Sequence, residues 1–367
     1  MARSKKKKWR NMPIHRRIQS DVNKKERLRN KVTRWRERVD AEEEKSEASY
    51  NRLKYESYPL GTVINMRSSH YYVKMDDNGE LLDAKAKGAF KGGIRNFTTV
   101  AAPGDRVHVE RYPEGGGLIV AVVPRKTVLS RPDPFRPHLQ DIIVANIDQL
   151  VIISSVGGPA FWPELVDRYL LFAEYNQLQP LLVINKIDQA EEEQLLEIRT
   201  LYKDRLGYRL LFTSVKSGAG IDQLRELMGS RSNVVSGLSG VGKSSLLNAI
   251  QPSLNLRVGE VSEYYSGDGQ HTTTTTTLYS LDRGGYVADT PGIRGFGVWD
   301  MEPAEIDYHF VEWRDFLGQC KFSDCTHHHE PKCAIKKAVE MAQIAQSRYK
   351  SFLTLYAETD PATMRHY

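Results

Sequence analysis

The chain has 367 residues, 40% of them hydrophobic and 27% charged, with a net charge of +6. That is the length of two or three domains with real cores and the composition of a soluble globular protein rather than a disordered or fibrous one. No apolar run is long enough to cross a bilayer and the N-terminus has no apolar signal core, so a cytoplasmic protein is expected.

The charge is unevenly placed. Residues 1–40 hold sixteen Lys/Arg against four Asp/Glu, and the rest of the chain is net acidic. A basic arm on an acidic body points to a polyanionic partner, with binding that weakens steeply as salt rises. Residues 1–58 therefore read as a basic extension, disordered or transiently helical in isolation because it has little apolar surface to offset ordering entropy. Trp9 and Trp35 stand out in it as side chains able to stack on bases or dock on a partner.

Residues 59–124 change to short strands broken by turns: 61–64, 71–75, 106–110 and 118–123, with a D-N-G turn at 77–79. Five or so strands in this length predict a small β-barrel of OB type. Lys85, Lys87, Lys91 and Arg95, interleaved with Tyr71, Tyr72, Phe90 and Phe97, suit either a nucleic-acid face or a core with solvated lysines. Prolines 124, 132, 134 and 137 mark residues 125–137 as a linker.

From 138 to 299, apolar runs at 150–153, 181–184, 209–212 and 233–236 alternate with helical stretches at about 163–176, 191–206 and 220–229. Buried strands separated by helices predict a parallel α/β sheet. Within it, residues 237–244 read G-L-S-G-V-G-K-S, followed by Ser245 and an apolar helix. This is the spacing of a phosphate-binding loop. Backbone N–H groups from Gly237, Leu238, Ser239, Gly240, Val241 and Gly242 wrap the phosphates, Lys243 reaches the β- and γ-phosphates, and the Ser244 hydroxyl ligates magnesium.

At 185–188 stands N-K-I-D, at the end of an apolar strand. A carboxylate at Asp188 can accept from the ring N–H and exocyclic amine of guanine, which adenine does not offer. Asn185 is expected at the other edge of the base and the Lys186 stem over its face. Ser214, Val215 and Lys216, after the next strand, are candidates for backbone support of the base. Downstream, G-Q-H at 269–271 runs into six threonines, 272–277, and D-T-P-G occupies 289–292. A threonine hydroxyl here, Thr273 for one, can complete the magnesium shell with Asp289, while Gly292 donates to the γ-phosphate. These are the parts of a GTPase in permuted order, because the base-reading motif precedes the phosphate loop. A permutation is tolerated where domain termini lie close together.

The three cysteines, Cys320, Cys325 and Cys333, fall within fourteen residues of a helical region, 300–367, between the stretches 303–318 and 334–357 that read as helices. With one imidazole they suit a closed structural zinc site, to which His327, His328 or His329 could contribute. Lys332, Lys336, Lys337, Arg348 and Lys350 follow as a candidate basic face.

Barrel, permuted GTPase and C-x4-C-x-H-x5-C in this order resemble the circularly permuted, ribosome small-subunit-dependent GTPases of the RsgA or YjeQ family over about residues 59–357. The resemblance implies a monomeric enzyme that binds the small ribosomal subunit and its rRNA late in maturation, uses magnesium with GTP, and leaves after hydrolysis to GDP. It implies one structural zinc on Cys320, Cys325, His327 and Cys333. No Ras-type glutamine follows Gly292, where Ile293 and Arg294 stand, and the resemblance assigns water positioning to His271. Two rival classes are an RNA-binding module that uses GTP only as a conformational ligand, which would show no stimulated hydrolysis, and a small-molecule kinase, which the Asn185/Asp188 pair disfavours.

Overall fold

The computed structural model describes residues 50, 52–86, 97–132, 140–256, 276–289, 301 and 303–359. The described chain divides between two compact units, one running to Phe296 and one from Gly297 onward.

In the first unit, β1 (Leu60–Arg67), β2 (His70–Met75), β3 (Leu81–Ala86), β4 (Arg106–Arg111) and β5 (Gly117–Val122) close into a barrel of order β1-β2-β3-β5-β4. The closing pair β3 and β5 is parallel, and β4 returns to β1. This is the OB arrangement. Alternation sets the interior: in β2 Tyr71, Val73 and Met75 point inward, and in β3 Leu82 and Ala84 do. Tyr71 is thus core rather than a stacking platform, and Phe97 lies under the Arg125 guanidinium, 5.5 Å from its centroid. Lys87, Phe90, Lys91 and Arg95 lie outside the described residues.

The proline-rich stretch is more structured than a linker. β6 (Val128–Pro132) pairs antiparallel with β7 (Gln140–Ala145), burying Leu129, Ile142 and Val144. Proline is tolerated because Pro132 ends its strand. The hairpin is fastened to the barrel: Ala145 N–H donates to Pro103 O at 2.8 Å, and the Asn146 amide donates to Gly104 O at 3.0 Å. Arg125 binds the fully buried Asp105 with two 2.7 Å hydrogen bonds.

The α/β sheet has six strands in the order β10-β9-β8-β11-β13-β12. β8 (Gln149–Ser155), β9 (Gln179–Asn185), β10 (Arg209–Phe212), β11 (Arg231–Ser236) and β13 (Gly285–Asp289) are parallel, and β12 (Thr277–Ser280) is antiparallel at the edge. Helix α1 (Pro163–Tyr175) packs on β8 and β9. Helices α3 (Ile221–Met228) and α4 (Lys243–Ile250) share a core with Val151, Ile153, Leu181 and Val183 of those two strands. Covered on both faces, β8 is buried along its whole length. The helical stretch after β9 is α2 (Glu192–Ile198), continued by a π-turn to Arg205.

In the second unit, α5 (Pro303–His309) ends well short of residue 318, in a 3-10 turn at Val311–Trp313. The helix expected over 334–357 is two, α6 (Ala334–Glu340) and α7 (Gln346–Glu358). The break follows from Ala342 at φ +56°, where Gln343 and Ile344 N–H groups both return to Ala338 O and Ile344 is buried. Arg348 does not belong to a surface basic face. It is buried over the Phe310 ring and donates to Glu312 at 2.7 and 3.0 Å.

Candidate nucleotide site and cysteine–histidine centre

Strand order in the sheet reverses between the parallel strands β8 and β11, because β8 leads to β9 and β10 on one side while β11 leads to β13 and β12 on the other. Ligands of open α/β sheets bind outside the carboxyl ends of the strands at such a reversal. The loop after β11 is the G-L-S-G-V-G-K-S segment, and α4 begins at Lys243.

Two glycines there are required by the protein's own packing as well as by phosphate approach. Gly237 has φ +149°, and a Cβ on it would stand 2.0 Å from Ile153 O. Gly242 has φ +95°, and its Cβ would meet Asn185 Nδ2 at 2.5 Å. The Lys243 ammonium donates to Gly237 O at 2.9 Å and Leu238 O at 2.8 Å, so its charge is held inside the loop. Ser244 is buried in the first turn of α4. Ser239, Gly240, Val241 and Ser245 complete the loop and helix start, and Ala288 pairs with Val234, which puts Asp289 level with Val235 at the next strand's end. The Asp289 side chain, Gly292, Thr273 and His271 lie outside the described residues.

The N-K-I-D segment reaches the same edge through β9. Asn185 is 2% exposed and engaged at both ends: its amide donates to Val241 O at 2.9 Å and its Oδ1 accepts from Thr213 Oγ1 at 3.3 Å. Its contribution here is to bind strand end to phosphate loop rather than to stand free for a base edge. The Lys186 ammonium similarly donates to Gly240 O at 2.7 Å and to Gly158 O, joining the loop to the segment after β8. Asp188 accepts from Ser214 Oγ at 2.6 Å, with Lys216 Nζ 4.0 Å away. The Ser214 hydrogen bond, helped by the Lys216 and Lys186 charges, holds its carboxyl below the usual range. It is therefore an ionised acceptor, the species guanine needs. Val215 is exposed beside it.

Sequence reasoning missed the 156–159 segment. Ser155 Oγ donates to Pro159 O at 2.6 Å, and Pro159 lies against Gly240. Its one signal is G-G-P directly after a buried strand.

In the second unit the Cys320, Cys325, His327 and Cys333 ligand atoms all lie within 4.8 Å of one another. Cys320 Sγ is 3.6 Å from His327 Nδ1 and 3.8 Å from Cys333 Sγ, and Nδ1 is 3.3 Å from Cys333 Sγ. Bond lengths of about 2.3 Å to sulfur and 2.0 Å to nitrogen give tetrahedral edges of about 3.8 and 3.5 Å. The donor set thus fits a four-coordinate metal ion. Its sulfurs are further fixed by the Ala334 N–H on Cys320 at 3.3 Å and the Lys336 N–H on Cys333 at 3.4 Å.

His328 and His329 are exposed and outside the cluster. His327 instead is buried against the Trp313 and Phe352 rings, with Nε2 3.2 Å from Asp307 Oδ2. That carboxylate, also missed from sequence, fixes which ring nitrogen faces the sulfurs. Burial pulls His327 down, but the hydrogen bonds to Asp307 and Cys320 outweigh it and hold the imidazole at about 11. Burial likewise raises Cys320, yet the His327 and Ala334 hydrogen bonds bring it to about 7.

Residues 122–299 match the family model of the RsgA GTPase. A small ribosomal subunit biogenesis GTPase RsgA from Thermotoga maritima is 40% identical over 299 residues, spanning 81% of this chain and 96% of that protein. The chain belongs to the RsgA GTPase family. A second member, RsgA 1 of Vibrio vulnificus, is 47% identical over 238 residues, 64% of this chain and 66% of its own length. The solved YjeQ from Thermotoga maritima superposes with a TM-score of 0.66 at 36% identity, covering 82% of this chain and 98% of that one. YloQ, described as a circularly permuted GTPase, gives 0.64 at 29%, covering 85% and 99%. Family membership makes the chain a GTP-hydrolysing enzyme with permuted motif order, built on an OB-type barrel and a helical part carrying the Cys/His cluster.

Proposed function

We propose that this chain binds the small ribosomal subunit during its maturation, hydrolyses GTP to GDP there, and departs after hydrolysis. The observation that carries the guanine half is the ionised Asp188 carboxylate, held by Ser214 on the same sheet edge as the glycine loop. The ribosomal half rests on the relatives' names, small ribosomal subunit biogenesis GTPases.

In this reading Asp188 selects guanine, Ser214, Val215 and Lys216 line the base, and Asn185 and Lys186 brace the loop. Gly237 to Ser245 wrap the phosphates and Lys243 turns from the Gly237 and Leu238 carbonyls to the β- and γ-oxygens. Ser244, with Asp289 and Thr273, would hold a magnesium ion, which when bound offsets charge on the β- and γ-phosphates. Gly292 donates to the γ-phosphate and His271 orients the attacking water. The metal at Cys320, Cys325, His327 and Cys333 is a structural zinc. The basic arm, residues 1–58, lies along rRNA, the chain acts as a cytoplasmic monomer, and its folded divisions are the barrel of 59–124, a GTPase domain reaching to 299 and a helical part over 300–367. Among the described residues no helix is long and apolar enough to cross a membrane.

The test is GTP turnover by the purified chain alone, then with small subunits, large subunits or bulk RNA. Stimulation by small subunits only is the expected outcome, and its loss in His271→Ala with GTP binding retained assigns the water-positioning role. Equal rates under all four conditions would refute a ribosome-triggered enzyme.

A further inference from the structure

Edge strand β12 opens on Thr277, the last of the six threonines and six residues past His271. In its antiparallel pairing with β13, Thr277 stands opposite Asp289. A group that fixes Thr277 therefore fixes the backbone at both ends of the magnesium-side machinery.

That group comes from the barrel. β1 packs against β12, and Asn65 donates from Nδ2 to Thr277 Oγ1 at 2.7 Å. At the far end of the same strand, Lys74 Nζ donates to Ser280 Oγ at 2.9 Å. A bulge puts Asn65 in place: β1 pairs Val63 with Val73 but then Asn65 with Tyr72, so Ile64 is the extra residue. Bulges re-aim side chains in this way at functional sites. Asn65 Oδ1 is also buried without a hydrogen-bond partner among the described residues. An acceptor left so is costly unless another state of the protein supplies its donor.

We propose that Asn65 is a positioning residue for GTP hydrolysis: from the barrel it clasps Thr277 opposite Asp289, and its free carbonyl oxygen takes a donor in the triphosphate state. The barrel is then part of the hydrolytic apparatus rather than only a binding module. What occupies the barrel's outer face can alter turnover through β1.

The experiment is a double-mutant cycle of Asn65→Ala and Thr277→Val in the full chain, read as single-turnover GTP hydrolysis without and with small subunits, beside GDP affinity and thermal midpoint. Each single variant is expected to lower the hydrolysis rate at least fivefold with GDP affinity within twofold of the parent. The double variant is expected to be no slower than the slower single, because both remove one contact. Unchanged rates, additive losses, or a loss of GDP affinity in step with the rate would each overturn the clasp. A parent chain that subunits do not stimulate would refute the ribosomal reading instead, and the cycle without subunits would still decide the clasp.

Discussion

Asn185→Ala separates two accounts of the base-reading motif. If Asn185 reads the base, its loss relaxes the preference for guanine and leaves the fold alone. The structure argues otherwise, because the side chain is 2% exposed and joins Val241 O to Thr213 Oγ1. Removing it deprives a buried carbonyl of its donor, at about 1–3 kcal/mol, and forfeits a second hydrogen bond of roughly 1 kcal/mol. The predicted loss of unfolding free energy is therefore about 2–4 kcal/mol, a shift in urea midpoint at unchanged slope. With the phosphate loop released from β9, GDP and GTP affinities fall together, while the ratio of GDP to ADP affinity stays within about threefold of the parent, a difference under ~1 kcal/mol. Denaturation and calorimetric titration measure both. Stability unchanged within about 0.5 kcal/mol, with a collapsed GDP-to-ADP ratio, would refute the reasoning.

Asp188→Asn has the opposite signature, since an amide accepts less well than a carboxylate and repels one guanine N–H. It should weaken GDP by roughly 1.5–3 kcal/mol, ten- to over a hundredfold, with stability near that of the parent, and undiminished GDP affinity by titration would count against it. Asp307→Asn should lower metal affinity about 10- to 100-fold in a chelator competition by loosening His327, and an unchanged competition curve would remove Asp307 from the site. Gly104→Ala places a Cβ 1.9 Å from Ala145 O at φ +94°, and should destabilise the barrel-to-hairpin junction by more than about 2 kcal/mol in thermal or urea unfolding.

The motifs that name the chemistry were legible because each is local. Glycine spacing in 237–244, N-K-I-D at a strand end and C-x4-C-x-H-x5-C are read over a few residues, and so is the short strand over 71–75. Element boundaries blurred where a local pattern persists across a break. Residues 334–357 keep an apolar helical period although Ala342 turns left-handed, and 128–132 reads as proline-rich linker although Leu129 is buried by a partner strand.

The sequence alone determined which chemistries to expect: phosphate wrapping, guanine reading, and a soft-ligand metal site with one imidazole among three candidates. Only the tertiary structure decided how those groups are used. It took His327 rather than its neighbours because Asp307, twenty residues earlier, approaches its ring. Asn185 became a brace because Val241, 56 residues later, presents its carbonyl there, and Asn65 met Thr277 across 212 residues. Residue type and spacing carry donor and acceptor chemistry, but a hydrogen bond needs two groups within about 3 Å. For pairs so far apart in the chain, that distance is set by sheet order and packing, which no local window contains.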